Sequence, residues 1–554
     1  MQKIYFADFE TTTARPPDYK VRVYLWVILS TENEYLKHGK KLETFITEIA
    51  KLKNAIIFFH NLPYDFSYIH PYLIKNNIPY SLLEKNGIIY SVKFFNIELR
   101  DSHNFLSMPL EEVGKNYCTI NKKGSIDYEA EYNHNPTKAE IEYCIMDCMV
   151  LEEGLTNYMN NLHQILIDAG AVKSATKIWK KLTNAGISFE AFKELSDYEL
   201  VCPKTSRAEY ELYKMAYRGG YVYSRPKGIM TDIQMIDCNS MYPYMYATIE
   251  MPYGKGYTCR SESDLYLYKF FIIGINIQYE LKEGYIPIIG GGIGKYGGIL
   301  YKSSSKGEFE YLVVSNKDFE LIKRFYNIEY EFVFGVGFDT KPEFFKKYAD
   351  TFIAVKNREQ GVKRAVAKNL LNSPYGKTAE NGYEEIYEYS INDDEVVSRE
   401  VVGFKLEEHR YQYLPIAIAI TSSARYYLLT TAESIGFDNV YYMDTDSIKY
   451  KYKEVPFTFD PNILGAWKDE GRVPLFKTLA PKKYGYWDGK KIHFKCAGFS
   501  QKVLNEVLKN EQEVSRVEAV RILKIFRKGL QLSCLQSKLV DGGRALLPVL
   551  KEIK

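Results

Sequence analysis

Pairs of carboxylates spaced two residues apart occur in two separate stretches of the chain. KIYFADFETTT carries Asp8 and Glu10, and VYYMDTDSIKY carries Asp444 and Asp446. Both stretches are otherwise apolar and strand-like, and residues two apart in a strand point to the same face of the sheet. Two like charges ~4 Å apart repel by ~4 kcal/mol at the effective dielectric of a protein surface. A divalent cation would remove this repulsion, so each pair is a candidate metal site, although Asp8 and Glu10 alone are more typical of a strand end exposing two acids.

Further polar side chains follow the first pair along the chain. IIFFHNLPYDFSYI runs from an apolar strand into a turn that carries Asn61, Tyr64 and Asp65. A single such turn is a weak signal. Because the turn follows an acidic strand in the chain, its side chains are candidates for the same metal site.

The stretch NPTKAEIEYCIMDCMVLEEGL is predicted to be a helix. Thr137 and Glu140 form a capping-box pattern at its start. Tyr143 and Asp147 are i,i+4 neighbours, so a hydroxyl and a carboxylate share one face. Four carboxylates and a tyrosine match a two-metal nuclease, in which cations ~3.5–4 Å apart hold the scissile phosphate and a hydroxyl orients the attacking water.

A third acidic position precedes the second pair by about two hundred residues. IQMIDCNSMYPYMYATIEMPYG places Asp237 at the end of an apolar strand, and Ser240 and Tyr242 follow at a chain reversal. An acid at a strand end is usually a cap. Together with Asp444 and Asp446 it completes a three-carboxylate set built from separate strands.

A basic segment lies between these acidic motifs. In FIAVKNREQGVKRAVAKNLLNSPYGK, residues 355–371 are predicted to form one helix despite Gly361, ending where Pro374 blocks continuation. Its basic residues fall at spacings that place most of them on one broad face: Lys356, Lys363, Arg364 and Lys368. A solvated basic face is an equal alternative. Phosphoryl transfer, however, combines carboxylates that hold magnesium with Lys and Arg side chains that clamp a triphosphate.

The ordered motifs resemble two known families. A strand DxE, then NxxYD, then a helical YxxxD resemble the exonuclease motifs of DnaQ-like 3′–5′ proofreading domains. DxxSMYP, KxxxNSxYG and MDTDS, in that order, resemble motifs A, B and C of family B DNA polymerases. YRGG, ITSSAR and the KxY of APKKYGYW match further motifs of that family. The resemblance spans nearly the whole chain.

The resemblance implies roles in a proofreading site. The metal ligands would be Asp8, Glu10, Asp65 and Asp147, with Tyr143 orienting water and Lys123 as a catalytic lysine. Lys123 is otherwise a solvated lysine beside a glycine. DSHNFLSMPL is similar to the single-strand-binding segment, although His103 replaces the usual leucine there. The DNA contacts of this domain would be Asn61, Tyr64, Ser102 and the base-stacking Tyr128.

It also implies roles in a polymerising site. Asp237 and Asp446 would be direct ligands of two Mg²⁺ ions, for which Mn²⁺ can substitute, and Asp444 would shape the site. Tyr242 would lie under the sugar and reject a ribose 2′-OH. The nucleotide-binding residues would be Tyr242, Lys356, Lys368, Asn372 and Tyr375. The DNA-binding residues would be Tyr217, Gly219, Gly220, Ser240, Ser373, Gly376, Thr421, Arg425, Lys482 and Tyr484. Arg218 of YRGG would also face phosphates.

The composition limits the class of protein. A chain of 554 residues is too long for one core, and 46% apolar with 26% charged residues is ordinary for a folded soluble protein. The net charge is only +3, so nucleic-acid binding needs locally concentrated basic residues. The 49 tyrosines suit base stacking as well as structural use. We expect reduced thiols, no signal peptide and no membrane partner, with the enzyme in the cytoplasm, which is the host cytoplasm if a phage encodes it.

The expected fold is a multidomain α/β and α+β chain. An RNase H-like, DnaQ-type exonuclease domain would precede a right-hand polymerase of palm, fingers and thumb with two insertions. The expected boundaries are 1–168 exonuclease, 169–248 first palm part, 249–344 first insertion, 345–379 fingers, 380–413 second insertion, 414–496 second palm part and 497–554 thumb.

The insertions indicate a subfamily. A Gly-rich, strand-like segment after motif A and ENGYEEIYEYSINDDEVVSREVVGF after motif B resemble the terminal-protein-region insertions of protein-primed polymerases from small tailed phages and linear plasmids. That resemblance implies a terminal protein as the source of the priming hydroxyl, DNA and dNTPs as the other partners, and strand displacement without a helicase. The alternatives are a family B enzyme that uses nucleic-acid primers, with ordinary hairpins in these places, and a non-catalytic single-strand-binding protein.

Overall fold

The computed structural model describes residues 3–14, 20–31, 34–85, 88–125, 129–196, 198–293, 299–380, 382–392, 396–406, 413–508, 513–540 and 543–553. Within these ranges, none of the helices combines the length and apolar character that crossing a membrane requires. Two mixed or antiparallel sheets of seven strands each carry the acidic motifs, and smaller sheets and hairpins surround them.

The N-terminal sheet has the strand order β3-β2-β1-β4-β7-β6-β5. Its strands are β1 (Lys3–Thr11), β2 (Val23–Ser30), β3 (Leu36–Gly39), β4 (Ala55–Phe59), β5 (Tyr80–Lys85), β6 (Ile88–Phe94) and β7 (Ile97–Asp101). Its helices are α1 (Leu42–Ile49), α2 (Leu62–Lys75), α3 (Leu110–Tyr117) and α4 (Lys138–Asp168). The strand β4, AIIFF, is buried along its whole length because helices cover both faces of its parallel pairing with β1 and β7.

The helix α4 packs across this sheet and begins as the sequence predicts. Thr137 accepts a hydrogen bond from the backbone of Glu140, and the Glu140 side chain binds back to the backbone of Thr137. The predicted capping box is therefore confirmed. One face of the helix, including Tyr143 and Asp147, is buried toward β1 and β2.

A helical segment leads from the N-terminal unit to the central sheet. It comprises α5 (Val172–Ala175), α6 (Asn184–Glu194), α7 (Tyr198–Val201) and α8 (Arg207–Ala216). The next elements are β8 (Val222–Ser224), β9 (Met230–Cys238) and α9 (Met241–Thr248). Asp237 stands at the end of β9, as predicted, and Ser240 makes the chain reversal with a left-handed φ of 54°.

The first predicted insertion forms a sheet with the order β10-β15-β11-β14 and a small hairpin, β12-β13. Its strands are β10 (Met251–Cys259), β11 (Phe270–Leu281), β12 (Ile289–Ile293), β13 (Ile299–Lys302), β14 (Glu310–Ser315) and β15 (Tyr326–Lys341). It also contains two helices, α10 (Glu262–Leu265) and α11 (Asn316–Phe325). Helix α11 packs on the long central helix α15 (Leu414–Ile435).

The basic segment forms two helices rather than the predicted single one. These are α12 (Lys346–Arg358) and α13 (Gly361–Asn372), followed by the short α14 (Pro374–Thr378). Glu359 and Gln360 are extended, and Gly361 has a φ of 54°, a conformation open to glycine at little cost. The prediction of one helix over 355–371 is therefore wrong, because the chain reverses at Gly361.

The remaining elements complete the central sheet, whose order is β22-β21-β20-β9-β19-β18-β8. The hairpin β16 (Tyr383–Ile391) and β17 (Val397–Leu406) lies at the second predicted insertion, before α15. The sheet strands are β18 (Val440–Asp444), β19 (Ser447–Lys451), β20 (Trp467–Ala480), β21 (Lys483–Trp487) and β22 (Ile492–Cys496). The chain then forms α16 (Gln501–Leu508), α17 (Arg516–Ile525) and the C-terminal hairpin β23 (Gln531–Val540) and β24 (Gly543–Glu552).

Both hairpins contact helix α2. Tyr389 of β16 donates a hydrogen bond to Glu84 at 3.0 Å and packs on the ring of His70, with ring centroids 4.9 Å apart. Tyr68 donates to the backbone oxygen of Arg544 at 2.7 Å. The two hairpins are thus attached to the unit that carries the first acidic pair.

Candidate active sites

Four acids meet beside the N-terminal sheet, and we call them the N-terminal carboxylate cluster. Asp8 and Glu10 are two residues apart on β1, so their side chains lie on the same face of the sheet. Asp65 lies in the first turn of α2, and Asp147 lies on α4. Residues 64 and 65 begin a helix and are not part of a turn, because the chain turns at Asn61, whose φ is 72°. Glu10, Asp65 and Asp147 are buried, with 7%, 3% and 3% of their surfaces exposed.

Lys123 compensates the charges of the N-terminal carboxylate cluster only in part. Burial, followed by repulsion from Asp147, raises the pKa of Asp8 to about 7. Burial, with repulsion from Asp8, raises the pKa of Glu10 to about 9. Burial also raises the pKa of Asp65 and of Asp147. A site whose acids resist ionisation in this way has the electrostatics of a cation site.

Two carboxylate oxygens of this cluster are suited to bind a metal. Among the described residues, Asp65 Oδ1 and Asp147 Oδ1 are buried without a hydrogen-bond partner. Because a buried carboxylate oxygen without a donor is costly, a ligand is expected there. Carboxylate oxygens are the ligand atoms that hard divalent cations prefer.

Lys123 and Tyr143 complete this arrangement. Lys123 forms an ion pair with the second oxygen of Asp147, and its Nζ lies 5.1 Å from the ring centroid of Tyr143. Tyr143 itself hydrogen-bonds Asp147 and thereby lowers the pKa of that acid against the effect of burial. The two residues predicted for catalysis therefore lie at the acids they are expected to serve.

The predicted strand-contacting residues of this domain divide into two groups. Asn61 is exposed, and Tyr64 is half-buried with its hydroxyl 2.7 Å from Thr11 Oγ1, at the end of β1. Ser102 is fully buried; its hydroxyl donates to the backbone oxygen of Phe59 at 2.9 Å and pairs with His60. Packing between β4 and β7 therefore encloses the Ser102 side chain, and its predicted contact with DNA stays a prediction. Tyr128 lies outside the described residues.

The second acidic pair lies in a β-hairpin rather than in one strand. Asp444 ends β18, Thr445 has a φ of 57°, and Asp446 completes the tight turn into β19. Strand alternation is therefore not what brings the two acids together. Asp237 lies opposite Ser447 in the paired strands β9 and β19, and the backbone nitrogen of Cys238 donates to the oxygen of Asp446 at 2.7 Å. These three acids form the central carboxylate cluster.

The central carboxylate cluster has the same electrostatic character as the first. Burial, with repulsion from Asp446, raises the pKa of Asp237 to about 6, and burial raises the pKa of Asp446. The buried ammonium of Lys449 lies near all three acids and donates to Ser447 Oγ at 2.8 Å. Lys449 was not predicted from the sequence; its position two residues after Ser447 in a strand was the available signal.

Lys482 and Tyr484 stand at the edge of the central cluster. Lys482, at a turn with a φ of 60°, binds Asp444, and Tyr484 packs against Tyr442 with ring centroids 4.9 Å apart. An open cavity of about 830 Å³ extends from here along β21 and β22, with Lys491 and Lys495 in its wall. Its basic and aromatic lining is typical of a nucleic-acid groove.

The residues predicted to bind a nucleotide lie on four helices, α9, α12, α13 and α14. Lys356 of α12 donates to Ser240 Oγ at 3.1 Å and to Asn239. Burial, with repulsion from Arg364 and Lys368, lowers its pKa, which shows that α13 brings its cations close to Lys356. The chain reversal therefore achieves the clustering that a single helix was expected to produce.

Two tyrosines form the floor of this region. The rings of Tyr242 on α9 and Tyr375 on α14 lie 4.3 Å apart between centroids, and both are half-buried. Asn372 and Ser373 are half-buried at the end of α13, and Gly376 is exposed. The ring contact therefore joins α9, which follows Asp237 in the chain, to α14, which follows Asn372 and Ser373.

The YRGG segment supports the acidic hairpin directly. A Cβ on Gly220 would lie 2.5 Å from Thr445 Oγ1, so only glycine permits this approach, and the backbone nitrogen of Thr445 donates to the oxygen of Tyr221 at 2.9 Å. Tyr217 is half-buried and Gly219 is exposed. The guanidinium of Arg218 donates to the oxygen of Val313 at 2.9 Å, so it faces the insertion sheet and not phosphates as predicted.

Two residues of α15 that are predicted to contact DNA are enclosed by protein in this structure. Thr421 is fully buried, and its hydroxyl donates to Ala417 in the same helix. Arg425 is 7% exposed; it binds both oxygens of Asp318 on α11, at 2.9 and 2.6 Å, and the backbone oxygen of Gly219 at 2.7 Å. Arg425 therefore connects the insertion, the YRGG segment and α15. The sequence had no signal for Asp318, which comes from a distant part of the chain.

Comparisons with known proteins agree with the geometry. The family model of DNA polymerase type B, organellar and viral, matches residues 46–137 and 129–458. The DNA polymerases of Bacillus phages PZA and phi29 are 29% and 28% identical to the chain over 91% of its length, and 94% and 93% of the relatives are covered. The DNA polymerase of Streptococcus phage Cp-1 is 27% identical, with 87% of each chain covered.

Among solved structures, phi29 DNA polymerase complexed with primer-template DNA and incoming nucleotide substrates superimposes with a TM-score of 0.86 at 25% identity. The match covers 100% of both chains. A phi29 DNA polymerase complex with single-stranded DNA superimposes with a TM-score of 0.83 at 26% identity, again over 100% of both chains. The insertion sheet and both hairpins therefore lie within the matched region.

Proposed function

The chain belongs to the type B DNA polymerases of organelles and viruses and is a DNA polymerase, and from this premise we propose a protein-primed, strand-displacing replicative enzyme with a 3′–5′ proofreading exonuclease. The observation that carries the proposal is the presence of two separate carboxylate clusters in one chain. The N-terminal cluster lies between β1, α2 and α4, and the central cluster lies between β9 and the β18–β19 hairpin. Two clusters allow two opposed reactions on one primer end.

The family depends on a divalent metal, and we assign two Mg²⁺ ions to each cluster. Asp237 and Asp446 would hold these ions, and Asp444 would shape the site. A metal bound there would supply a lower pKa for the primer hydroxyl and neutralisation of the leaving pyrophosphate. Because both direct ligands have raised pKa values without metal, ion binding and ionisation of these acids occur together.

The substrate is held by residues around this cluster. Lys356 and Lys368 bind the triphosphate, consistent with the mutual repulsion of their charges in the free protein. The ring of Tyr242, held by Tyr375, excludes a ribose 2′-OH. Lys482 and Tyr484 hold the primer terminus, and the remaining contacts to the nascent pair and template come from Asn372, Ser373, Gly376, Ser240, Tyr217, Gly219 and Gly220.

In the exonuclease reaction, Asp8, Glu10, Asp65 and Asp147 would hold metal ions, which would supply charge stabilisation at the scissile phosphate. Tyr143 would orient the attacking water, and Lys123, which contacts Asp147, would act as the catalytic lysine. Asn61 and Tyr64 contact the last nucleotides of the primer strand. The unpartnered oxygens of Asp65 and Asp147 support this assignment.

The domain assignment follows from the same premise. Residues 1–168 form the exonuclease domain, 169–248 and 414–496 the palm, 345–379 the fingers and 497–554 the thumb. The insertions at 249–344 and 380–413 serve the terminal protein and enclose DNA. The sheet β10-β15-β11-β14 and the hairpin β16–β17 occupy these two positions and support this reading. The relatives are phage enzymes, so we place the protein in the cytoplasm of a host cell.

A primed single-stranded DNA circle tests the proposal. The purified enzyme is incubated with the circle, Mg²⁺ and four dNTPs, and product lengths are measured. Strands many times longer than the circle are expected, because the insertions enclose DNA and allow the enzyme to displace the strand ahead. Products that stop at one circumference would support the second candidate, a nucleic-acid-primed enzyme that needs helper proteins.

Protein priming needs a separate assay. With a candidate terminal protein, labelled dNTP and no nucleic-acid primer, the label is expected to become attached to a Ser, Thr or Tyr hydroxyl of that protein. An Asp446→Asn variant serves as the control for label that binds without chemistry. Attachment to no protein of the same genome would contradict protein priming, while leaving the polymerase assignment in place.

A further inference from the structure

A cysteine lies at the N-terminal carboxylate cluster. On α4, Cys144 is three residues before Asp147, so both side chains belong to the same side of the helix. Its thiol is fully buried, with Sγ 3.7 Å from the backbone oxygen of Asp8. Ligand atoms of Asp8, Glu10 and Cys144 all lie within 4.8 Å of one another. Nothing in the proofreading chemistry above uses this sulfur.

A second observation indicates that this position accepts a ligand. Asp65, 3% exposed, presents an oxygen that has no hydrogen-bond partner among the described residues. The thiol of Cys144 and the unpartnered oxygen of Asp65 therefore belong to the same N-terminal carboxylate cluster.

We propose that Cys144 is a further metal ligand and makes this cluster a binding site for borderline-soft divalent cations such as Zn²⁺, Co²⁺ and Cd²⁺, together with Asp8 and Glu10. The inference rests on the proposed exonuclease function only in taking these two acids as metal ligands. On binding, the thiol releases its proton to solvent, a metal–water bond breaks and a metal–sulfur bond forms, with no change of oxidation state. Thiolate donors select such ions over Mg²⁺.

The distances suit this coordination. Zinc binds sulfur at ~2.3 Å and carboxylate oxygen at ~2.0–2.2 Å in tetrahedral geometry, so two such ligand atoms lie roughly 3.4–3.6 Å apart when the ion is bound. The ligand atoms of Asp8, Glu10 and Cys144 lie within 4.8 Å of one another, so side-chain movements of up to roughly 1 Å would bring them to this spacing. The central cluster offers no equivalent within the described residues, because Cys238 follows Asp237 on the opposite face of β9 and its Sγ lies 3.4 Å from the oxygen of Gly465.

The test is a titration of the metal-free, full-length protein with Co²⁺. A sulfur-to-cobalt charge-transfer band in the near ultraviolet is expected to saturate at one ion per chain. Cys144→Ser is expected to lose the band and to weaken Cd²⁺ binding at least ~10-fold, the minimum loss for removal of an outer partner of a metal site. Cys148→Ser and Cys238→Ser, which change equally buried thiols, are matched controls that keep the band.

A band that persists in Cys144→Ser, or that the unaltered protein never shows, would overturn the inference. Circular dichroism establishes that each variant is folded. Asp8→Asn retains the thiol and is an independent test: it is expected to bind Co²⁺ more weakly, as measured by titration of the same charge-transfer band. Failure of the proposed nuclease is distinguishable. Mg²⁺-dependent primer degradation without a cobalt–sulfur band rejects only the cysteine ligand, whereas a band without degradation rejects only the nuclease.

Discussion

Lys482 binds Asp444, with its Nζ 3.1 Å from Oδ2 and 3.2 Å from Oδ1 of the carboxylate. The same acid accepts a hydrogen bond from the hydroxyl of Tyr442 at 3.3 Å. The side chain of Lys482 is 59% exposed, so this ion pair contributes little to stability. The ion pair instead orients the Asp444 carboxylate within the central carboxylate cluster.

Replacing Lys482 with methionine is therefore expected to affect activity more than stability. Nucleotide incorporation should decrease by ~10–100-fold, the usual effect of losing a group that orients a metal site. Primer degradation and the melting temperature should change little. Single-nucleotide extension and calorimetry measure both effects. Lys490→Met, which changes an exposed lysine farther along the same sheet, is the control, and equal losses in the two variants would contradict a specific role.

The two carboxylate clusters are expected to be separable by mutation. Asp446→Asn should lower incorporation at least ~10³-fold, because a lost metal ligand removes several kcal/mol of transition-state stabilisation. It should leave primer degradation intact. Asp8→Asn should do the reverse. Assays of both activities on one labelled primer measure the separation, and a variant that is folded but lacks both activities would argue against two independent sites.

The raised pKa values predict that the metal-free protein is less stable at higher pH. Asp8 and Glu10 have folded pKa values of about 7 and about 9, above those of an unfolded chain. Between pH ~4 and ~9 the folded state therefore binds more protons than the unfolded state, so the free energy of unfolding falls as pH rises. Melting temperatures measured in a chelator from pH 5 to 9 should decrease.

Added Mg²⁺ should reduce this decrease, since the ion takes the place of the protons. Its apparent affinity for the N-terminal cluster should rise by about tenfold per pH unit for each proton displaced. The double variant Asp8→Asn, Glu10→Gln should flatten the pH profile in the chelator. A profile that is equally steep in this variant would place the titrating groups elsewhere.

The buried ion pair between Asp318 and Arg425 predicts a large loss of stability when one partner is removed. Asp318→Ala leaves the guanidinium of Arg425 buried without its acid and should cost about 3–5 kcal/mol. Asp318→Leu combined with Arg425→Met removes both charges and should cost less than either single change. Urea unfolding of each variant measures the change in the free energy of unfolding. A double variant that is less stable than both singles would indicate that Arg425 acts mainly through its bonds to Arg218 and Gly219.

The contact of the β16–β17 hairpin with the N-terminal unit predicts an effect on long synthesis. Glu84 binds Tyr389 and forms an ion pair with Arg399. Glu84→Ala should free the hairpin and shorten the products made on a primed circle, while single-nucleotide extension is retained. Glu48→Ala, which removes an acid on a different face of the same unit, is the control. Undiminished product length would show that this contact does not hold the hairpin over DNA.

Local sequence patterns determined several secondary-structure elements of this protein and the family to which it belongs. The strand ending in Asp237, the acidic strand β1 and the capped helix α4 follow from short-range patterns and are found where expected. The motifs and their order were sufficient to predict a family B DNA polymerase, which the comparisons confirm. These features are predictable because hydrophobic period, caps and motif spacing are properties of neighbouring residues.

Tertiary structure alone decided what each polar residue touches. Thr421, Arg425 and Ser102 match motifs but are buried, and Lys449 and Cys144 match none but lie at the carboxylate clusters. The break at residues 359–361 interrupts a segment whose pattern predicted one helix, and the tight turn at Asp446 interrupts one whose pattern predicted one strand. The reason is physical: burial and pairing depend on groups that are distant in the chain, and the free energy of packing them together exceeds the small local preferences that a sequence displays.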